Sequence, residues 1–316
     1  MRRVDRGSRS QPDCGMIKRT EILCIGGAVH DRKFMLEGPL LCGTSNPARS
    51  TRAFGGVARN VCENLARLGL ATALVTRVGE DAAGAAIIRH LAELGVDIAL
   101  VQSDPERNTA EYLALLAPDG SLQAGVADMA IFDQIELAGI WQADIPGWVF
   151  ADCNLPGALL AELAITTRQR GARLAVDCVS VAKAMRLPRD LTGIDLLFAN
   201  QAEADALLQC VMPPLEAAQA LLARGASAAI VTLGPGGLMF ACAQASGHLP
   251  APACSVVDVT GAGDALVAAT LAALACGTDL PAAARRGIEA ATVTLNSADS
   301  VRADLAQALA ARRASQ

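Results

Sequence analysis

The chain is predicted to be an α/β protein built on a mostly parallel sheet with both faces covered. Two observations predict it. Short strand-like runs alternate with helical patterns through most of the 316 residues, and that alternation implies parallel strands joined by crossover helices. A composition 52% hydrophobic and 19% charged gives a chain of this length ample material for a core.

Ile22–Gly26 reads as a buried first strand. Val61, Leu65 and Leu68 recur at i, i+4 and i+7 and mark a helix, after which Ala73–Val78 reads as a strand. Ile87, Leu91 and Leu94 mark the next helix, which ends at Gly95. Later strands are expected at Trp148–Asp152, Leu174–Asp177, Leu196–Ala199 and Ala229–Thr232, with helical stretches between them. Beyond Val257, small residues break a strand-like run, and Ala265, Leu266, Ala269, Ala273 and Leu274 share one helical face. Two segments depart from this rhythm. Residues 31–54 are irregular and mixed-polar, and residues 108–126 alternate around the turn Pro118-Asp119-Gly120. Both follow strand ends, so together they are expected to form a small antiparallel flap; the alternative is two ordinary long loops.

Bulk properties exclude several classes. No run approaches the ~18 apolar residues that cross a bilayer, and alanine supplies much of the hydrophobic fraction. Residues 1–19 carry six basic and two acidic side chains, while the remainder carries 21 basic and 30 acidic. An acidic body argues against nucleic acid as a partner. The basic tail lacks an apolar core and a small-residue cleavage site, so it is expected to be an extension outside a domain spanning 20–316; Met16 as the true start is an alternative. The ten cysteines include no CxxC pair, and buried free thiols in a reducing cytoplasm are expected.

The most informative stretch is Asp258-Val259-Thr260-Gly261-Ala262-Gly263-Asp264. A helix opening on Gly-Ala-Gly offers unpaired N–H groups and the positive end of its dipole, which together bind anions such as phosphate. Asp264 adds a carboxylate in the first turn. An anion cradle beside a potential base suggests phosphoryl transfer to a hydroxyl. Asp258 and Thr260 offer oxygens to a monovalent cation, or else cap a turn. No G-x-x-x-x-G-K-[ST] loop is present, and only Lys18, Lys33 and Lys183 are lysines.

Further motifs follow other strands. Gly55-Gly56-Val57-Ala58-Arg59-Asn60 opens a helix, and Asn60 can donate to a sugar hydroxyl. Asp31 stands just after the first strand, where a carboxylate can accept from two vicinal hydroxyls. Asn200 and Glu203 are spaced to orient waters around Mg²⁺, or to form a capping box. Thr232-Leu233-Gly234-Pro235-Gly236-Gly237 lets backbone approach a phosphate or a nucleobase, or is a glycine-rich turn.

In this order the motifs resemble the ribokinase-like (PfkB) family of carbohydrate and nucleoside kinases. The resemblance implies a Rossmann-like three-layer α/β/α fold with a small β lid near 31–54 and 108–131, which serves in many members for homodimerisation. It implies ATP, Mg²⁺ and in many members K⁺. Asp264 would be the base and the N–H groups of Gly261, Ala262 and Gly263 the anion hole. Asn200, Thr232, Gly234, Gly237, Gly261, Gly263 and Asn296 would bind nucleotide, Asn200 and Glu203 would hold Mg²⁺ through water, and Asp258 and Thr260 the monovalent ion. Ala199 departs from the proline that many members carry before the asparagine.

Ser45-Asn46-Pro47, Gly55-Gly56-Val57-x-Arg59-Asn60, Asn108-Thr109-x-x-Tyr112-Leu113, Asp128-Met129, Asp152-Cys153-Asn154 and Asp177-x-Val179-Ser180 are similar to members acting on the C-nucleoside pseudouridine. That similarity implies phosphorylation of its 5′-hydroxyl, with Asp31, Ser45, Asn46, Gly55, Gly56, Arg59, Asn60, Thr109, Asp128 and Asn154 around the acceptor. Asn46 would read the uracil imide edge from the lid. Other acceptors within the family (ribose, adenosine, a keto-sugar acid) and a non-catalytic nucleoside sensor are the alternatives.

Overall fold

The computed structural model describes residues 20–142 and 145–314; the basic tail and Cys14 lie outside the described residues. Strand β1 (Ile22–Ile25) leads into β2 (Val29–Leu36), which returns as β3 (Ala48–Gly55) and enters α1 (Val57–Arg67). Then follow β4 (Thr72–Val75), β5 (Arg77–Gly79), α2 (Ala82–Glu93), β6 (Gln102–Asp104), β7 (Glu111–Leu116) and β8 (Leu122–Asp128). Next come β9 (Trp148–Asp152), α3 (Gly157–Gln169), β10 (Arg173–Asp177), α4 (Val181–Ala184), β11 (Leu196–Asn200), α5 (Gln201–Leu208) and α6 (Pro214–Ala223). The chain closes with β12 (Ala228–Thr232), β13 (Leu238–Cys242), β14 (Ser246–Leu249), α7 (Ala262–Ala275), α8 (Leu280–Thr294) and α9 (Leu305–Ala314).

Eight of these strands form the main sheet, in the order β14-β13-β12-β11-β10-β9-β1-β4. The pairs from β4 to β12 are parallel. Alternation along each strand feeds two cores. Leu23, Ile25, Val149, Val176, Leu197 and Val231 pack with Leu163 of α3, Leu207 of α5 and Leu221 of α6. Their neighbours Ile22, Cys24, Leu74, Phe150, Phe198 and Ile230 pack with α1, α2, α7 and α8. This is the three-layer α/β/α architecture.

Three local differences from the sequence reading have physical reasons. The expected strand Ala73–Val78 is two: β4 stops at Val75, and β5 joins β6 in a separate two-stranded sheet. The sheet also continues past Thr232, because β13 and β14 turn back antiparallel at its edge. The flap is a four-stranded sheet, β3-β2-β7-β8, and it is mixed rather than antiparallel. Its hairpins β2–β3 and β7–β8 are antiparallel, but the central pair β2–β7 is parallel. Both inner strands leave the core in the same direction, so they can only meet side by side in parallel.

Candidate active site

Helix α7 begins at an N-cap glycine. Gly261 has φ +79°, and a Cβ there would collide with the carbonyl oxygen of Ser300, so no other residue fits without strain. A Cβ built on Gly263 meets nothing within 4 Å. The helix end is therefore open, with first-turn N–H groups that have no helical partner. Asp264 lies in this turn and accepts a hydrogen bond from Asn60 Nδ2 at 2.6 Å. Burial pushes its carboxyl up to about 6, helped by Asp152 and Asp31 and opposed by Asn60 and Arg59. It is a group able to exchange a proton near neutral pH.

Helix α1 orients the asparagine. Gly56 is its N-cap at φ +91°, pressed against the Gly27–Ala28 backbone, and a Cβ on Gly55 would collide with the Asp31 carboxylate. These two glycines bring Asp31 and the start of α1 together. Arg59 is 2% exposed. It donates to the Phe54 carbonyl at 2.8 Å, to Asn60 Oδ1 and to Glu63 Oε2 at 2.5 Å. Because Arg59 takes the Asn60 oxygen, the amide must turn its NH₂ toward Asp264. Burial raises Glu63, but Arg59, Arg67 and His90 outweigh it and hold that carboxyl below its ordinary value. Arg59 thus stands as a buried cation among Glu63, Asp264 and Asp31. Asp31 is pushed up to about 6 by burial, against Arg59 and Lys33.

At the end of β9, Asp152 is fully buried and accepts from the N–H groups of Gly27 (3.0 Å), Ala58 (2.8 Å) and Asn154 (2.9 Å). One carboxylate thereby fastens β1, α1 and its own turn. Asn154 Oδ1 accepts from Lys183 Nζ at 2.5 Å. Asp177, at the end of β10, is driven well above its ordinary value by burial and by the Glu203, Asp264 and Asp152 carboxylates. Asn200 and Glu203 form a capping box on α5: the asparagine oxygen accepts from Glu203 N at 2.9 Å, and Glu203 Oε2 accepts from Asn200 N at 2.8 Å. Burial raises Glu203 as well.

No group of three or more His, Cys, Asp or Glu among the described residues is arranged to hold a metal directly. Yet Glu203, Asp264 and Asp152 all raise the proton affinity of Asp177, and Asp152 raises that of Asp264, so hard oxygens gather at these strand ends in a way that suits a hydrated Mg²⁺. The proposed monovalent-cation residues fit less well. Asp258 Oδ1 accepts from both the N–H and the hydroxyl of Thr260, and Oδ2 pairs with Lys33 Nζ of β2 at 3.3 Å. Turn capping and a lysine ammonium take up the oxygens a cation would need.

Of the residues expected to bind nucleotide, Thr232 ends β12 and Gly234 has φ +56° with open space at its Cα, while Gly237 (φ +87°) is packed on the backbone from Leu249 to Ala251. Asn296 accepts from Ser255 Oγ at 2.8 Å.

Some acceptor-side candidates are not brought here. Thr109 is buried, its hydroxyl donating to Asp81 Oδ1 (2.8 Å) and accepting from Gly79 N (3.0 Å), so it fastens the α2 N-cap instead. Asn46 and Ser45 lie in the loop between β2 and β3. The Asn46 amide is spent on that loop, bonded to Leu41 N, Leu41 O and Thr44 O. Asp31 and Leu36, where the loop begins, are five residue steps apart along β2, roughly 17 Å. Asp128 ends β8 on an exposed strand. Asp152 and Asp177 enter the sequence reading only as parts of quoted motifs, with no role given to either, and Glu63 does not enter it. The spacing Arg59, Glu63, Arg67 was the one available signal for Glu63, and the strand-end positions of Asp152 and Asp177 were the signal for those two.

An open helix end suits a phosphoryl group, and a first-turn carboxylate that ionises near neutrality suits proton transfer. A protein that keeps both in one turn, at the carboxyl ends of a parallel sheet, is built as a phosphotransferase. Residues 19–304 match the family described as pfkB family carbohydrate kinase, and the chain belongs to that family. Pseudouridine kinase of Escherichia coli K12 is 28% identical over 262 residues, covering 80% of this chain and 83% of the relative. A carbohydrate kinase from Agrobacterium tumefaciens has a similar structure, with TM-score 0.82, 31% identity, and coverage of 93% of this chain and 96% of that one. Arabidopsis thaliana ribokinase complexed with ribose and ATP superposes with TM-score 0.80 at 22% identity, covering 92% of this chain and 98% of that one.

Proposed function

We propose that the protein transfers the γ-phosphoryl group of ATP to the 5′-hydroxyl of pseudouridine. The observation that carries the kinase reading is Asp264 in the open first turn of α7, oriented by Asn60 and raised to about 6. The similarity to an Escherichia coli pseudouridine kinase supports the acceptor.

The Asp264 carboxylate takes the proton of the 5′-hydroxyl as that oxygen attacks the γ-phosphorus in line. The new P–O bond forms as the bond to the β-phosphate oxygen breaks, and ADP leaves with the electron pair. N–H groups at Gly261, Ala262 and Gly263 stabilise the charge spread over the equatorial oxygens. Asp31, beside Gly55, accepts from the ribose hydroxyls. Glu203, with Asn200 and Asp177 nearby, would hold Mg²⁺ through water, and the ion would neutralise charge on the phosphates. Thr232, Gly234, Gly237 and Asn296 border the nucleotide. The exposed Leu41, Leu122 and Val126 of the lid support a homodimer through that sheet. The described cysteines are all free, which supports a reducing, cytoplasmic setting.

The pH profile of kcat/KM tests the base. An acid limb with apparent pKa near 6 is expected, because Asp264 and Asp31 must both be ionised and both are raised to about 6. Activity is full above that value and falls as pH drops through it. An acid limb near the ordinary aspartate value of about 4 contradicts the raising of these carboxyls by burial.

Acceptor choice is tested by a coupled assay of ADP formation over pseudouridine, uridine, adenosine, inosine, ribose and a keto-sugar acid. The highest kcat/KM is expected for pseudouridine. A higher value for another acceptor reassigns the substrate within the family, and no ADP with any acceptor points to a nucleoside sensor.

A further inference from the structure

We propose that Lys183 is a specificity-determining residue that donates a hydrogen bond to a carbonyl of the bound nucleobase. The inference rests on the nucleoside-kinase reading above and extends it to a residue outside the recognised motifs.

Lys183 follows the end of β10 in the single turn of α4, where Ser180 Oγ accepts from its backbone N–H at 3.3 Å. The preceding Val179 has φ +64°, a conformation costly for a β-branched residue, so the chain is turned sharply to send α4 this way. The side chain reaches back across the sheet. Its Nζ lies 2.5 Å from Asn154 Oδ1, beyond β9, and 3.3 Å from the Met129 sulfur, just past the last lid strand.

That environment is unusual for an ammonium group. Lys183 is half-buried, and among the described residues no carboxylate lies within ion-pairing distance of it; Lys33, in contrast, has Asp258. An ammonium carries three donors. Here one meets a good acceptor and one a thioether, which is a poor acceptor, and among the described residues the third has no protein partner. A half-buried cation with underused donors is costly unless something else accepts from it. Burial and the Arg186 guanidinium weaken its hold on the proton, and Asp152 with the Cys153 thiol supports the charge without pairing to it.

Topology says which substrate is near. The nucleotide-side motifs follow β11 and β12, whereas Asn154 follows β9, next to β1 and the lid, on the acceptor side of the sheet. Asn154 also packs on Gly27, where a Cβ would stand 2.7 Å from its Nδ2. Gly27 in turn donates to Asp152, and its carbonyl accepts from Arg59 N. Lys183 therefore stands with Asn154 between the core and the lid. A uracil ring presents two carbonyl oxygens flanking an imide N–H, which complement an ammonium and the donor–acceptor amide of Asn154. Bare ribose offers no such group.

The test measures kcat and KM of the wild type, Lys183→Met and Lys183→Arg with pseudouridine, ribose and ATP. Loss of a hydrogen bond from a charged donor predicts about a 10- to 100-fold rise in KM for pseudouridine in Lys183→Met. Values for ribose and ATP stay within about twofold, which also shows that the variant is folded. Lys183→Arg recovers part of the loss. Equal losses on ribose and pseudouridine, or no loss on either, overturn the role of Lys183 while leaving the kinase reading intact. A wild type that turns over ribose but no nucleoside overturns the nucleoside reading, and this assignment with it.

Discussion

Asp264→Asn is expected to lower turnover by about 10²–10⁴-fold, the usual contribution of a positioned general base, and at the same time to stabilise the protein at neutral pH. The two effects share one cause. Burial raises the Asp264 carboxyl from 3.8 to about 6, so the folded state holds the proton more tightly than the unfolded chain does. A raised acid contributes its full stability below its unfolded value, and that contribution is lost as pH rises through about 6. The ionised group then costs roughly 3 kcal/mol at pH 8, taking 1.36 kcal/mol per pH unit. An amide does not titrate and still accepts from Asn60. Urea unfolding at pH 8 and pH 4 checks this: Asp264→Asn should gain up to about 3 kcal/mol at pH 8 and little at pH 4. Near-wild-type turnover removes the base assignment, and lower stability at pH 8 contradicts the electrostatic account.

Asp152→Ala is expected to cause the largest loss of stability of any single change near the site. Its carboxylate accepts from the N–H groups of Gly27, Ala58 and Asn154, and all three become buried donors without partners. At about 1–3 kcal/mol for each, the loss is about 3–9 kcal/mol, a large part of a domain's total. Asp152→Asn keeps one carbonyl oxygen and should lose less. The midpoint of urea unfolding at constant m reads the difference. A cost below about 1 kcal/mol for Asp152→Ala would mean that water replaces the carboxylate, and that the three segments hold together without it.

The strand–helix alternation was legible because each parallel strand carries its own apolar signal; Ile22–Ile25, Trp148–Asp152 and Ala228–Thr232 lie within a residue of their expected bounds. The α7 turn was legible for a similar reason, since its glycines and Asp264 are contiguous. What the sequence concealed lies between segments. Asn60 and Asp264 are 204 residues apart, and Asp152 and Ala58 are 94. No local pattern records that Arg59 turns the Asn60 amide, or that Thr109 spends its hydroxyl on Asp81. The parallel lid pair β2–β7 was hidden likewise, because the alternation that marks a strand says nothing of its partner's direction. Asn46 shows the converse: a motif residue whose amide is folded onto its own loop.

The exposure of the lid has an evolutionary consequence. Strand β8 is solvent-exposed throughout and β3 nearly so, and surface substitutions of that kind usually change stability by less than about 0.5 kcal/mol. Arg59, Asn60, Glu63 and Asp152, in contrast, are buried, where changes carry a heavier penalty. Mutation can therefore wander freely over the small sheet while the core around Asp152 stays fixed. A protein organised in this way can drift from one acceptor to another without first losing its fold.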